Sequence, residues 1–291
     1  MRTSASVTEM TIRHPVWFRW LGVAGMELRA GQHVLLIDPF LTRPPFRRLF
    51  VGRVEPDRAL LRRHVSRAGT ILVTHAHWDH LLDVAPIAEF TGAVVVGSPN
   101  TCRLVAAQGV RPAQIRQVAV GDRLALGAFQ VEVLPGTHGR TPLDWLINGR
   151  LPRDLRRPLR LRDYRMDCCF SFRVEVDRLR LLDCPGPAVA ADVLAVGTDL
   201  AEPTLERLLR QVRPRLAIPV HWDNLFRPLG RGPRPMLGRP VVRLPLFQWM
   251  APRAFERVVA RLAPETRVLV PRVLEPYDLQ VLVNGSGPVR E

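Results

Sequence analysis

Thr74-His75-Ala76-His77-Trp78-Asp79-His80 follows directly on the apolar run Thr70–Val73. The run reads as a buried strand, so three imidazoles and a carboxylate fall within six residues at a strand's end. Grouping so many donors in a site that excludes water is costly unless a cation organises them. His75 and His77 stand two apart and can face one point. Asp79 and His80 lie beyond the turn and can face a second point nearby. Four donors from so short a loop do not comfortably surround one tetrahedral ion, and the spacing therefore argues for two metals. The competing reading is an exposed polar turn whose histidines are incidental.

Further ligands would have to come from elsewhere in the chain. His138 follows the apolar run Phe129–Leu134 across a Pro-Gly-Thr turn, Asp183 ends Leu179–Leu182, and His221 ends Leu216–Val220. All three lie where strands run out into loops, the usual place for functional groups on an α/β scaffold. His14, His33 and His64 fit no such context.

The rest of the chain reads as short strands alternating with helices. Expected strands are Trp17–Leu21, Val34–Ile37, Thr70–Thr74, Ala93–Gly97, Ile115–Val120, Phe129–Leu134, Phe170–Val176, Leu179–Leu182, Val193–Val196, Leu216–Val220 and Val268–Val270. Ala30-Gly31-Gln32, Val120-Gly121-Asp122 and Val176-Asp177-Arg178 read as hairpin turns. Helical periodicity covers Asp57–Arg67, Asp83–Phe90, Asn100–Gln108, Pro203–Val212 and Pro252–Leu262, with Asp57 and Asp83 as N-caps. Early hairpins, then strand–helix alternation in each half, predict two packed sheets with helices outside. No composition break divides the 291 residues. The chain therefore reads as a single domain over 1–291, with a candidate lid insertion at Gly139–Asp167.

These features together resemble the metallo-β-lactamase fold superfamily of metal-dependent hydrolases. Its HxHxDH motif stands unaltered as His75, His77, Asp79 and His80, and His138, Asp183 and His221 follow in that superfamily's order. Leu21-Gly22-Val23-Ala24-Gly25 and Leu36-Ile37-Asp38-Pro39-Phe40 resemble the subgroup that includes L-ascorbate-6-phosphate lactonases. Two departures stand out: Val23 replaces that subgroup's histidine, and Asp183 lies in Leu-Asp-Cys rather than Gly-Asp-Thr. The resemblance implies an α/β fold, a four-layer αββα sandwich. It also implies a first metal held by His75, His77 and His138, a second by Asp79, His80 and His221, and Asp183 bridging both. Asp38 would orient a ligand imidazole. Cys184 would be either a soft extra ligand or a small buried residue. Two divalent ions are expected; the donors suit zinc best, with manganese or iron as alternatives. The implied reaction is hydrolysis of a small anionic ester, lactone or phosphoester by a metal-bridging hydroxide. Asp79 would be the catalytic residue that orients the nucleophile and moves its proton. Trp78, Trp145 and Trp222 are candidates for a pocket wall.

Charge bears on the partner. All 42 basic residues are arginines against 27 acids, a formal balance of +15. The surplus gathers in Arg43–Arg67, Arg150–Arg165 and Arg227–Arg243, which follow Asp38, His138 and His221 respectively. That distribution favours a small anionic substrate or an anionic membrane surface. Phe46-Arg47-Arg48-Leu49-Phe50 mixes apolar wedges with positive charge, as a lipid-facing stretch does. A phosphodiesterase for phospholipid or nucleic acid is thus an alternative, although no stacking motif or RNA-binding module supports nucleic acid. Two others are a di-iron enzyme of oxygen chemistry and a non-catalytic metal-binding protein on this scaffold. Four cysteines without CxxC spacing, no apolar leader and no spanning run predict a cytoplasmic protein.

Overall fold

The computed structural model describes residues 15–51, 54–139, 144–155, 157, 159–183, 186–236, 241–244 and 247–285. One sheet holds β1 (Val16–Gly22), β2 (Gly25–Ala30), β3 (His33–Ile37), β4 (Thr70–Leu72), β5 (Val94–Gly97) and β6 (Ile115–Gln117) side by side. A second holds β7 (Arg123–Leu126), β8 (Phe129–Pro135), β9 (Phe170–Val176), β10 (Leu179–Asp183), β11 (Val193–Gly197) and β12 (Leu216–Val220). A separate hairpin pairs β13 (Val241–Leu244) with β14 (Phe247–Met250). β15 (Arg267–Val268) then adds to β12, and β16 (Pro276–Asp278) returns to β1.

Period-two alternation makes the layers. Along β3, Leu35 and Ile37 enter the core between the sheets, whereas Val34 and Leu36 face an outer core. Along β11, Val193 and Ala195 point to the inter-sheet core while Leu194 and Val196 face a third core. The helices are α1 (Phe46–Val51), α2 (Arg58–His64), α3 (Trp78–Leu81), α4 (Val84–Thr91), α5 (Pro99–Ala107), α6 (Asp144–Ile147), α7 (Glu202–Val212), α8 (Pro252–Leu262) and α9 (Leu279–Asn284). α2, α4 and α5 bury Leu61, Ile87 and Leu104 on the first sheet; α7 and α8 bury Leu205, Leu209, Phe255 and Val259 on the second. The result is the expected four-layer αββα sandwich. Each fully buried Leu, Ile, Val or Phe contributes about 1.5–3 kcal/mol to holding these layers together.

Strand direction sets where functional groups emerge. β3 and β4 are parallel neighbours, so Asp38 and the His75 loop leave the first sheet at one edge. β8 and β10 both run antiparallel to β9, and β10, β11 and β12 are mutually parallel. His138, Asp183 and His221 therefore all leave the second sheet at a common edge. A hydrogen bond from the Phe170 N–H to the Thr74 carbonyl (2.8 Å) joins the two edges.

Two turns are as expected. Ala30 pairs with His33 around Gly31-Gln32. Val176 pairs with Leu179 around Asp177-Arg178, both left-handed, as a type I′ turn requires. Val120-Gly121-Asp122 is not a hairpin. β6 and β7 lie in different sheets, and this turn carries the chain across the sandwich. Asp83 stands at the N-cap of α4 but does not cap it with its side chain. Its carboxylate instead accepts from the Leu41 and Thr42 backbone N–H groups, each at 2.7 Å.

Candidate metal centre

The edge shared by the two sheets gathers six of the seven residues expected as ligands into two groups. One donor atom each from His75, His77 and His138 lie within 4.8 Å of one another, and the same holds for Asp79, His80 and His221. The groups abut, because the His75 and His80 ring centroids are 3.9 Å apart. Within the second group, Asp79 Oδ2 stands 3.4 Å from His221 Nε2 and 3.7 Å from His80 Nε2. Ligands about 2.0–2.1 Å from a tetrahedral zinc lie about 3.4 Å from each other, so the spacing suits such an ion.

Local structure explains how each side chain arrives. His77 is the N-cap of α3, so Asp79 and His80 ride on the helix's first turn while His75 and His77 precede it. Gly136 lets the end of β8 lie against β9; a Cβ there would stand 2.5 Å from the Phe170 carbonyl oxygen. His138 follows two residues later. His221 adopts φ 55°, and its N–H donates to the Val23 carbonyl at 2.8 Å.

Hydrogen bonds fix which ring nitrogens are free. Asp38 Oδ2 accepts from His80 Nδ1 at 2.7 Å and from the Thr74 hydroxyl at 2.5 Å. A carboxylate only accepts, so His80 carries its proton on Nδ1 and presents the Nε2 lone pair to Asp79 and His221. The Thr74 hydroxyl spends its one proton on Asp38. Its oxygen, 3.0 Å from His75 Nδ1, must then accept from that nitrogen. His75 Nε2 is thereby left as an acceptor, and it is buried without a partner among the described residues. His77 Nε2 faces the Asn148 side-chain oxygen at 3.0 Å, which leaves Nδ1 as its free donor atom. Asp38 thus orients the His80 imidazole, and through Thr74 it orients that of His75.

Burial and neighbouring charge prepare the same groups. Burial, with the nearby His80, His77 and His138, holds His75 well below the ordinary imidazole range. Burial takes His77 down to about 4 against the opposing pull of Asp79, and it lowers His138 as well. Neutral imidazoles are the form that binds a metal. Burial alone would raise Asp79, but His80, His221 and His77 outweigh it and keep the carboxylate ionised. Burial likewise opposes charge on His221, yet the Asp79 hydrogen bond and charge lift that imidazole to about 9.

Asp183 belongs to neither three-donor group. It is buried at the end of β10, and its Oδ2 has no hydrogen-bond partner among the described residues. Burial first, then the charge of Asp38 and the Cys169 thiol, push its carboxyl well above the usual range. Cys184 lies outside the described residues. Trp78 and Trp222 are buried packing rather than open pocket walls: Trp222 stacks on Trp20 at 5.2 Å, and Trp78 meets Phe40 edge-on. Trp145 is 78% exposed.

Sequence spacing gives Asn148 and Thr74 no role, and Arg43, expected in a basic stretch facing an anionic partner, is instead spent inside the protein. Asn148 comes from the candidate lid segment, which is tied to α5 where Asn100 Nδ2 donates to the Gly149 and Arg165 carbonyls. Arg43 forms a buried ion pair with Asp223 at 3.0 Å, and Asp223 accepts the Val23 N–H at 2.9 Å. The Val23 carbonyl also accepts from Trp20 Nε1 at 2.9 Å. Val23 is left-handed at φ 49°, a conformation costing a β-branched residue about 1–2 kcal/mol. These hydrogen bonds offset that cost, and the clamp holds the loop that carries His221.

The family described as beta-lactamase superfamily domain matches residues 33–192, which include all but one of the grouped donors. This chain belongs to that family. A UPF0173 metal-dependent hydrolase from Pyrobaculum arsenaticum is 33% identical over 121 residues, 41% of this chain and 49% of that protein. Another, from Methanopyrus kandleri, is 23% identical over 226 residues, 74% of this chain and 86% of that protein. The chain thus spans about half the length of the first relative and most of the second. Among solved structures, a metallo hydrolase from the archaeon Ignicoccus hospitalis superposes with a TM-score of 0.60 at 15% identity, covering 90% of this chain and 97% of that one. A possible metal-dependent hydrolase from Veillonella parvula gives a TM-score of 0.57 at 13% identity, covering 91% and 99%. At such identities the superpositions are likenesses of fold.

Proposed function

We propose that this superfamily member is a dinuclear metal-dependent hydrolase of small anionic esters, lactones or phosphoesters. One observation carries the reading: two abutting groups of three convergent donors, buried or half-buried, beside which His75 Nε2 and Asp183 Oδ2 have no hydrogen-bond partner among the described residues. His75, His77 and His138 would hold one ion, and Asp79, His80 and His221 the other. Asp183, a buried carboxyl whose Oδ2 has no donor among the described residues, fits the role of bridging both. The family and the names of its relatives support hydrolysis. Zinc suits the imidazole-rich donor set best.

Bound divalent ions supply a water acidified to near neutral pH and a Lewis acid for the substrate oxygen. The chain's own residues do the rest. Asp38 and Thr74 hold the tautomers of His80 and His75, and Asn148 holds that of His77. Asp79, ionised between His80 and His221, is the group positioned to orient the attacking water. The test is a screen of phosphodiester, lactone and carboxylester substrates on metal-defined protein beside a His75→Ala control. Turnover should require metal and fall by at least about a thousandfold in the variant, the scale of losing nucleophile activation. Equal turnover by His75→Ala protein with full metal content would overturn the assignment.

A further inference from the structure

Beyond His221 the chain makes a tight excursion that returns on itself. Asn224 N–H donates to the Arg234 carbonyl at 2.8 Å, the Met236 N–H reaches the Trp222 carbonyl at 3.2 Å, and Asp223 bridges to Pro235. Arg227 staples the tip, its guanidinium donating to the Gly232 and Arg231 carbonyls at 2.8 and 2.7 Å. The excursion encloses an open cavity of about 610 Å³ whose wall, among the described residues, includes Phe226, Arg227, Arg231, Arg234 and Met236 and no carboxylate. Some arginines elsewhere meet acids, as Arg19 does Glu27 and Arg180 does Asp192. Arg231 and Arg234 are exposed and pair with no carboxylate among the described residues.

Position gives this cluster its meaning. Phe226 stacks on Trp78 at 6.0 Å between ring centroids, and Trp78 stands between His77 and Asp79. The cavity is therefore one aromatic layer from the loop that carries four of the grouped donors. It is walled by guanidiniums whose forked N–H donors match the oxygens of a phosphate. We propose that Arg231 and Arg234, with Arg227 behind them, form a subsite for a phosphate-bearing ligand beside the metal centre. This deepens the hydrolase reading and rests on it for the identity of that ligand as substrate. The same chemistry would equally take the phosphate of a lipid head group, since the exposed Phe46 packs edge-on against Phe226 at 5.0 Å.

The test uses metal-loaded protein and two double variants. Arg231→Ala with Arg234→Ala empties the cavity of two charges; Arg207→Ala with Arg257→Ala removes two exposed charges from α7 and α8. Inorganic pyrophosphate is titrated by calorimetry, phosphatidylglycerol vesicles by co-sedimentation, and metal content is measured on each protein. The cavity variant should bind pyrophosphate about tenfold more weakly than the wild type, as expected for losing charge-assisted hydrogen bonds, while the helix variant matches the wild type. A tenfold loss confined to the vesicles would support the same phosphate subsite with a lipid head group as its source. Equal affinity of all three proteins for both probes would overturn the proposal, and so would equal weakening by both variants, which would assign binding to net charge. Arginine-dependent pyrophosphate binding without turnover of any ester would sink the hydrolase reading and leave the subsite standing.

Discussion

At the scale of the residue, one carboxylate governs two imidazoles. Asp38 holds His80 directly and His75 through the hydroxyl of Thr74, so the tautomers of one donor in each group descend from a single side chain. Thr74→Val keeps the volume and removes the relay, leaving His75 Nδ1 without its acceptor. The variant should fold and bind metal about 10–100-fold more weakly, measured by competition with a chromophoric chelator, because outer partners of metal-bound histidines carry effects of that size. Affinity equal to the wild type would show that the hydroxyl does not set the ring. The HxHxDH spacing was enough to find His75, His77, Asp79 and His80, because those donors are neighbours in the chain. Thr74 was visible beside them but silent: only its contact with Asp38, 36 residues away, gives it a task.

Among elements, the loops that frame the site are held by buried polar groups rather than by apolar packing alone. Asp83, at the start of α4, reaches back to the backbone of residues 41 and 42. Burial raises its carboxyl to about 6, against the Thr42 and Leu41 hydrogen bonds. Asp83→Ala would strand two buried N–H donors and should cost about 2–4 kcal/mol in urea denaturation, whereas Asp83→Asn retains an acceptor and should cost less than half as much. Equal losses would mean that the tether contributes little. The expected capping role failed because an aspartate at a helix start can cap or reach elsewhere, and sequence spacing does not distinguish the two. The Val120-Gly121-Asp122 turn misled similarly. Turn residues announce a reversal, but whether the next strand pairs in the same sheet depends on which apolar face it must bury. β2 was legible in principle, since Met26, Leu28 and Ala30 alternate with Glu27 and Arg29.

For the whole molecule, the metal centre couples to global stability through protons. In metal-free protein His77 titrates near 4, below its usual 6.5, so the unfolded chain binds more protons between those values. The contribution is therefore complete above about pH 6.5 and is lost as pH falls toward 4. His77→Gln should remove about 1–2 kcal/mol of the stability that metal-free protein gains between pH 5 and 7, read from urea midpoints at each pH. A pH profile identical to the wild type would contradict the burial that sets this imidazole. Among the described residues no helix is long and apolar enough to cross a membrane. What the sequence determined by itself was whatever is written locally: the strand alternation that splits Leu35 from Leu36, the helix periods, and a donor motif dense enough to require a cation. His138, Asp183 and His221 could be nominated from strand ends, but their convergence could not be derived from spacing. That was decided by parallel strands delivering their ends to one edge, and by Asn148, Arg43 and Asp223 arriving from distant segments. Contacts of that kind are absent from sequence spacing because burial and hydrogen bonding act on distance in space, and only packing the two sheets makes those residues neighbours.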